Sequence, residues 1–149
     1  ISAQVVALLG QRRFDVYVVN FANADMVGHS GNIAAASEAV AVTDTAVGSI
    51  VDACRRAHGT TLITGDHGNA EQMLDPRSGQ PRREHTANPV PLYLIGERFR
   101  RRRKGLKVAD HQTPHGKLAD VSPTALKLIG LQPPSSMTGR SLLTLMAKA

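Results

Sequence analysis

Asp66 and His67 stand side by side between Gly65 and Gly68, directly after the β-branched and apolar run TTLIT at 60–64. A run of that composition reads as a buried strand. Ligands in an open α/β sheet gather at the carboxyl ends of strands. Aspartate offers a hard oxygen and histidine a borderline nitrogen, a combination that suits a divalent transition metal. The same four residues also suit a plain turn, in which Asp66 caps backbone N–H groups and His67 is merely exposed.

A second pair follows an earlier apolar run. FDVYVVN at 14–20 leads into the polar, glycine-punctuated segment FANADMVGHSGN at 21–32. Asp25 and His29 are four apart, so one helical turn places both on one face. Asp25 as a helix cap and His29 as a surface residue is the equal alternative. His85 precedes a third apolar run, VPLYLI at 90–95. It lies at the sequence end of that run opposite to the end at which Asp66 leaves its own, which makes it the weakest link in the geometry. Together Asp25, His29, Asp66, His67 and His85 exceed what one tetrahedral site needs and suggest two metals sharing a rim. Such a pair clamps a transferring phosphoryl group and activates a hydroxyl nucleophile. Asp110, His111 and His115 form a further candidate cluster, although loop histidines near proline and glycine are ordinarily solvated.

These side chains need elements to hold them. Residues 2–9 are apolar and read as the end of a helix, with a polar break at 11–13. The run at 14–20 reads as a buried parallel strand. Asn32 or Ser30 can cap a long helix over 33–57. Val40, Val47, Ile50, Val51 and Cys54 give it one apolar stripe, and Ala34, Ala35, Ala36 and Ala39 allow close packing on a sheet. Gly59 stops it. Strand, helix, strand is a βαβ unit with a right-handed crossover. Residues 70–83 carry the turn signals Asp75-Pro76 and Ser78-Gly79 and fit a two-strand ribbon or a loop. A short strand is expected at 106–108. Ser122-Pro123 reads as the start of a helix that Gly130 ends. A short apolar stretch, 142–146, closes the chain.

Bulk composition narrows the function classes. The chain has 149 residues, enough for one domain with a core. A single cysteine, Cys54, excludes an internal disulfide and an all-cysteine zinc site, and reads as a small core residue in a reducing compartment. Aromatic residues make up 3% of the chain with no Trp, which argues against base-stacking platforms. No stretch reads as a membrane span, and the first residue is Ile rather than Met, as in a piece of a longer chain. The net charge of +6 owes much to the basic run at 98–104. That run reads as a solvated loop before it reads as a phosphate-backbone grip; an anionic substrate or acidic partner also fits a positive field.

Five blocks carry a resemblance: NFANADMVGHSGN (20–32), TGDHGNAEQM (64–73), HTANPVPLYL (85–94), GKLADVSPTALKLIGL (116–131) and MTGRSL (137–142). In this order they resemble the carboxyl-terminal part of cofactor-independent (2,3-bisphosphoglycerate-independent) phosphoglycerate mutase, in the alkaline phosphatase superfamily. The resemblance implies an α/β fold: a three-layer α/β/α sandwich with a mostly parallel sheet, alkaline-phosphatase-like, present as a partial domain over 1–149. The upstream part and an inserted substrate-binding domain are then absent. It implies that Asp25, His29 and His85 match the ligands of one manganese, and Asp66 and His67 two ligands of a second. The donor set tolerates zinc or cobalt as well.

The implied reaction interconverts 3-phosphoglycerate and 2-phosphoglycerate in glycolysis and gluconeogenesis through a phosphoserine. The nucleophilic serine and the phosphoglycerate-binding residues are expected upstream, so the isolated chain is expected to be inactive. Pro81-Arg82-Arg83-Glu84 and the arginine-rich run depart from common family members without touching a ligand. The expected setting is the cytoplasm, with neither nucleic acid nor membrane as partner, and with a monomeric full enzyme. A cut sheet leaves an apolar edge and favours self-association of the fragment. The alternatives are another phosphomutase or phosphohydrolase of the same superfamily, for instance a phosphopentomutase, and a non-catalytic metal-binding domain.

Overall fold

The computed structural model describes residues 1–100 and 114–148. The strand expected at 106–108, candidates Asp110 and His111, and residues 101–104 of the basic run lie outside the described residues. His115 is described and exposed.

The first element is helix α1, Ser2–Gln11, closed by Arg12 in the left-handed region at φ 50°. Residues 14–20 do not form the expected buried strand. Exposure alternates over 16–20, with Tyr17 and Val19 half-buried and Val18 93% exposed, while Phe14 and Asp15 are exposed too. The pattern is that of one pleated face against the protein. No ladder partner lies alongside it among the described residues, so the apolar run is left half-bare. Tyr17 turns inward and its hydroxyl donates to the Leu8 carbonyl at 3.0 Å.

Helix α2, Asn23–Gly28, runs into a tight turn and then into α3, Ile33–Arg56. Asn32, not Ser30, caps α3: its Oδ1 accepts the Ala35 N–H at 3.1 Å. The stop signal is shifted by one residue from the expected Gly59. His58 takes the left-handed conformation at φ 59°. Its N–H bonds the Arg55 carbonyl while the Gly59 N–H bonds the Cys54 carbonyl, the paired closure of a Schellman motif.

The long helix packs on other helices rather than on a sheet. Cys54 and Ala53 meet Leu9 of α1 in the core, with Val5, Val6, Tyr17 and Ile50 around them. Ala36, 2% exposed, lies in the amino-terminal half of α3, the half that follows α2. Val40, expected on the buried stripe, is 46% exposed. α3 also corrects the reading that nothing here has the length of a membrane span: its 24 residues include a window of mean hydropathy 1.2. It nonetheless carries Glu38, Asp44 and Asp52 and seats Ala53 and Cys54 in a helical core.

The two described strands are β1, Thr61–Thr64, and β2, Leu92–Ile95. They pair antiparallel, with Thr61 opposite Ile95 and Thr64 opposite Leu92. The expected parallel βαβ unit is therefore absent among the described residues, because its first strand has no partner and its second pairs with a strand running the other way. Between them, residues 70–83 take the ribbon option, with a bridge between Leu74 and Pro81 and the Asp75 carboxylate holding the turn through Arg77 and Ser78.

A 3-10 turn at Leu118–Asp120 feeds α4, Val121–Leu128. The helix thus begins before Ser122, and Pro123 sits in its first turn, where a missing N–H costs nothing. Gly130, at φ 81°, ends it as expected. α5, Leu143–Lys148, ends the described chain. Asp120 locks the stretch before α5 to this corner: it accepts the Arg140 N–H at 2.8 Å and the Lys117 N–H at 2.9 Å. Among the described residues apolar faces are left uncovered: Phe14, Val16 and Val18 are 56%, 50% and 93% exposed.

Candidate metal centre

α2 places Asp25 and His29 one turn apart on one face, as their spacing requires. His29 Nε2 lies 3.3 Å from Asp25 Oδ1. The N-cap of α2 is Ala22, and Asp25 lies within the first turn rather than at the cap. The antiparallel pair then supplies the third residue. Since Thr64 faces Leu92, the chain leaves β1 and enters β2 at one rim. The loop from Gly65 and the segment before Leu92 start from the same place. A bridge between Gly68 and Thr86 draws them together, with the Thr86 N–H on the Gly68 carbonyl at 2.8 Å. His85 Nε2 arrives 3.1 Å from Asp25 Oδ1 and 3.1 Å from His29 Nε2.

The fit to a metal can be tested on these distances. Bonds of about 2.0–2.1 Å to a tetrahedral ion place neighbouring donor atoms about 3.3 Å apart. The three spacings here are 3.3, 3.1 and 3.1 Å. Asp25 Oδ1 is buried and has no hydrogen-bond partner. A buried carboxylate oxygen without a donor is costly, and a cation satisfies it. One carboxylate and two imidazoles leave a fourth position open, as catalytic sites do. His29 Nδ1 lies 2.5 Å from the Arg83 carbonyl, so Nδ1–H donates there and leaves the Nε2 lone pair facing Asp25.

Asp66 and His67 lie on the same rim. His67 stacks on His85 at 3.7 Å between ring centroids and 21° between planes. Its Nδ1 is 4.0 Å from Asp25 Oδ1, and its Nε2 is 3.7 Å from Asp66 Oδ2. The Asp66 side chain is 82% exposed, pointing out past the tighter group formed by Asp25, His29 and His85. Asp25, His29, Asp66, His67 and His85 are therefore neighbours. A concavity of about 540 Å³ between α3 and residues 70–74 holds none of them.

Two glycines permit this approach. A Cβ on Gly28 would collide with the Asn69 side chain, and one on Gly68 with Thr86 Oγ1 and the Glu71 carboxylate. Glu71 is the residue that the sequence did not single out. Its carboxylate accepts the Asn69 N–H at 2.6 Å, the Asn88 side-chain N–H at 3.0 Å and the Thr86 hydroxyl. Burial pushes its pKa up; bonds from Thr86, its own backbone, Asn88 and Asn69 outweigh that and hold it below the usual value. Thr86 and Asn88 are 15 and 17 residues away, beyond any local pattern.

A family model described as Metalloenzyme superfamily matches residues 1–133. The chain is 50% identical over 143 residues to the 2,3-bisphosphoglycerate-independent phosphoglycerate mutase of Pseudomonas putida (strain GB-1), covering 96% of this chain and 26% of that protein. It is 47% identical over 145 residues to the enzyme of the same name from Pseudomonas aeruginosa (strain UCBPP-PA14), again 26% of that protein. The chain thus spans about a quarter of the length of these relatives. A crystal structure of Leishmania mexicana phosphoglycerate mutase at low cobalt concentration superposes with TM-score 0.75 at 27% identity, over 93% of this chain and 27% of that one. The α/β, phosphatase-like class expected from the sequence is shared with that partial match.

Proposed function

The chain belongs to the Metalloenzyme superfamily, and from that premise we propose that it is the metal-holding part of a phosphoglycerate mutase of the cofactor-independent type. The observation that carries this reading is Asp25 Oδ1: buried, without a donor, and approached by nitrogens of His29, His85 and His67 within 4.0 Å. In the proposal Asp25, His29 and His85 hold one divalent ion, while Asp66 and His67 hold part of a second. Manganese is the expected ion, with cobalt and zinc suited to the same donors.

A bound divalent ion supplies positive charge to phosphoryl oxygens and lowers the pKa of a coordinated hydroxyl. The residues of this chain do the positioning. Arg83 fixes the tautomer of His29 through its carbonyl. The bridge between Gly68 and Thr86 keeps the two loops in register. The catalytic serine and the phosphoglycerate contacts belong, in this reading, to further sequence that the full-length relatives carry. Support for a partial domain comes from the bare apolar run at 14–20 and from the 26% coverage of each relative. The proposed whole enzyme is a monomer of the cytoplasm acting in glycolysis.

The test is a crystal grown with Mn(II) or Co(II), with anomalous scattering to locate the ion. The expected peak bonds Asp25 Oδ1, His29 Nε2 and His85 Nε2, with a second peak beside Asp66 and His67. Peaks elsewhere defeat the reading. An assay of the chain completed with the rest of a mutase separates the reaction classes. Interconversion of phosphoglycerates is expected; net release of phosphate favours a phosphohydrolase of the same superfamily.

A further inference from the structure

We infer that Glu71 is a positioning residue for the metal centre, a carboxylate staple that sets the distance between His67 and His85. The inference rests on the reading of Asp25, His29 and His85 as that centre. Its geometry stands by itself. One Glu71 oxygen takes the N–H of Asn69, two residues beyond His67. The other takes the hydroxyl of Thr86, the residue after His85, and the amide of Asn88. Asn88 also reaches the Gln72 side chain at 2.9 Å, and its N–H bonds Thr86 Oγ1 at 3.3 Å. One side chain therefore holds the loop after β1 and the segment before β2 together.

Charge makes this arrangement stiff. An ionised carboxylate is acceptor-only, so all three donors can aim at it without conflict. Such charge-assisted bonds are shorter and stronger than neutral ones. Thr86 and Asn69 are themselves buried, at 8% and 7% exposure, so neither has water as a ready substitute. Gly68 completes the fit, since a Cβ there would occupy the space that the Thr86 hydroxyl and the carboxylate share. The stacked rings of His67 and His85 sit on the two segments so joined. Partners of this outer kind tune metal affinity because they restrict where ligands can move.

The experiment titrates the purified chain with Co(II), reading affinity and the visible d–d spectrum. Glu71→Gln keeps the shape but turns one acceptor into a donor; Thr86→Val removes one arm. Each is expected to weaken Co(II) binding about 10- to 100-fold, the range for outer-shell partners, and to alter the spectrum. Far-UV circular dichroism and the metal-free thermal midpoint report folding separately. Asp120→Asn, which disrupts a carboxylate bonded to the Lys117 and Arg140 N–H groups and to none of the ligand candidates, is the control for general destabilisation. It is expected to lower the midpoint and leave the Co(II) affinity and spectrum as they are. Native Co(II) affinity in both Glu71→Gln and Thr86→Val overturns the inference alone. A loss that Asp120→Asn reproduces at equal destabilisation also overturns it. A native chain that takes up no Co(II) overturns it together with the metal-centre reading.

Discussion

Thr64, the last residue of β1, faces Leu92, the first residue of β2. That register is why Asp66 and His67, which follow β1, and His85, which precedes β2, share one rim, where α2 presents Asp25 and His29. In a parallel pair the exit of one strand and the entry of the next lie at opposite ends. His85 would then need a long loop to come back. In the antiparallel pair it needs only the six residues that precede Leu92 in the sequence, and it lands 3.1 Å from Asp25.

Removing a ligand should abolish metal-linked stability. A ligand that binds only the folded chain adds about 2.7 kcal/mol when present at 100 times its dissociation constant. Mn(II) or Co(II) is expected to raise the unfolding midpoint of the native chain in this saturable way. Asp25→Asn and His85→Ala are each expected to lose the response, with affinity reduced by more than the roughly 100-fold typical of outer-shell changes. Calorimetric unfolding with and without metal checks this; a full response in Asp25→Asn would be the contrary result.

Gly28 lies between Asp25 and His29 and against Asn69. Gly28→Ala is expected to push the loop after β1 away from α2 and to weaken metal binding. In an exposed helix the same change would stabilise by about 1 kcal/mol. Here the collision reverses the sign, and the expected cost is about 1–3 kcal/mol, as for overpacking. Equilibrium urea unfolding measures it, and a stabilised variant would show that Asn69 moves aside freely.

His58 pays a left-handed conformation at the end of α3, with φ 59°. A residue with a Cβ costs about 1–2 kcal/mol in that region. His58→Gly is therefore expected to stabilise the chain by about 1 kcal/mol, because glycine is the residue that the C′ position favours. A denaturation midpoint at or below that of the native chain would show that the imidazole makes a compensating contact.

Asp120 links the 3-10 turn before α4 to the segment that leads into α5. Bonds from the Arg140 and Lys117 N–H groups hold its pKa below the usual aspartate value. A group whose folded pKa is depressed adds stability that is present above its unfolded pKa and lost as pH falls through the folded one. The stability gap between the native chain and Asp120→Asn should thus be widest near neutral pH and close below pH about 4. Urea titrations across that range check it; a gap that stays constant into acid would refute the assignment.

Val18, Val42 and Tyr93 are 93%, 58% and 56% exposed. Apolar side chains left this bare gain by being covered by a second copy of the chain. The purified chain is expected to self-associate as its concentration rises, and a Val18→Lys, Val42→Lys variant to shift towards monomer. Sedimentation velocity over a concentration series decides this; a native chain that stays monomeric throughout would count against it.

Much of this protein was legible in local pattern. The i, i+4 spacing of Asp25 and His29 placed them on one helical face, because helix geometry is set by neighbours in sequence. The caps of α3 and α4 could be found to within a few residues for the same reason. Asp66 and His67 were legible as a strand-end pair, since glycine marks the bend on either side. The apolar run at 14–20 misled, because composition shows that a segment can be buried but not whether a partner strand lies beside it. The direction of β2 was equally invisible, as pairing is a choice between segments some thirty residues apart. Glu71 carried no signal, since a carboxylate acquires its role only from donors brought to it by folding. The sequence by itself pointed to the side chains suited to hold a cation; only the tertiary structure decided that Asp25, His29 and His85 converge, because antiparallel pairing brings the loop carrying His85 back to the rim where α2 presents the other two.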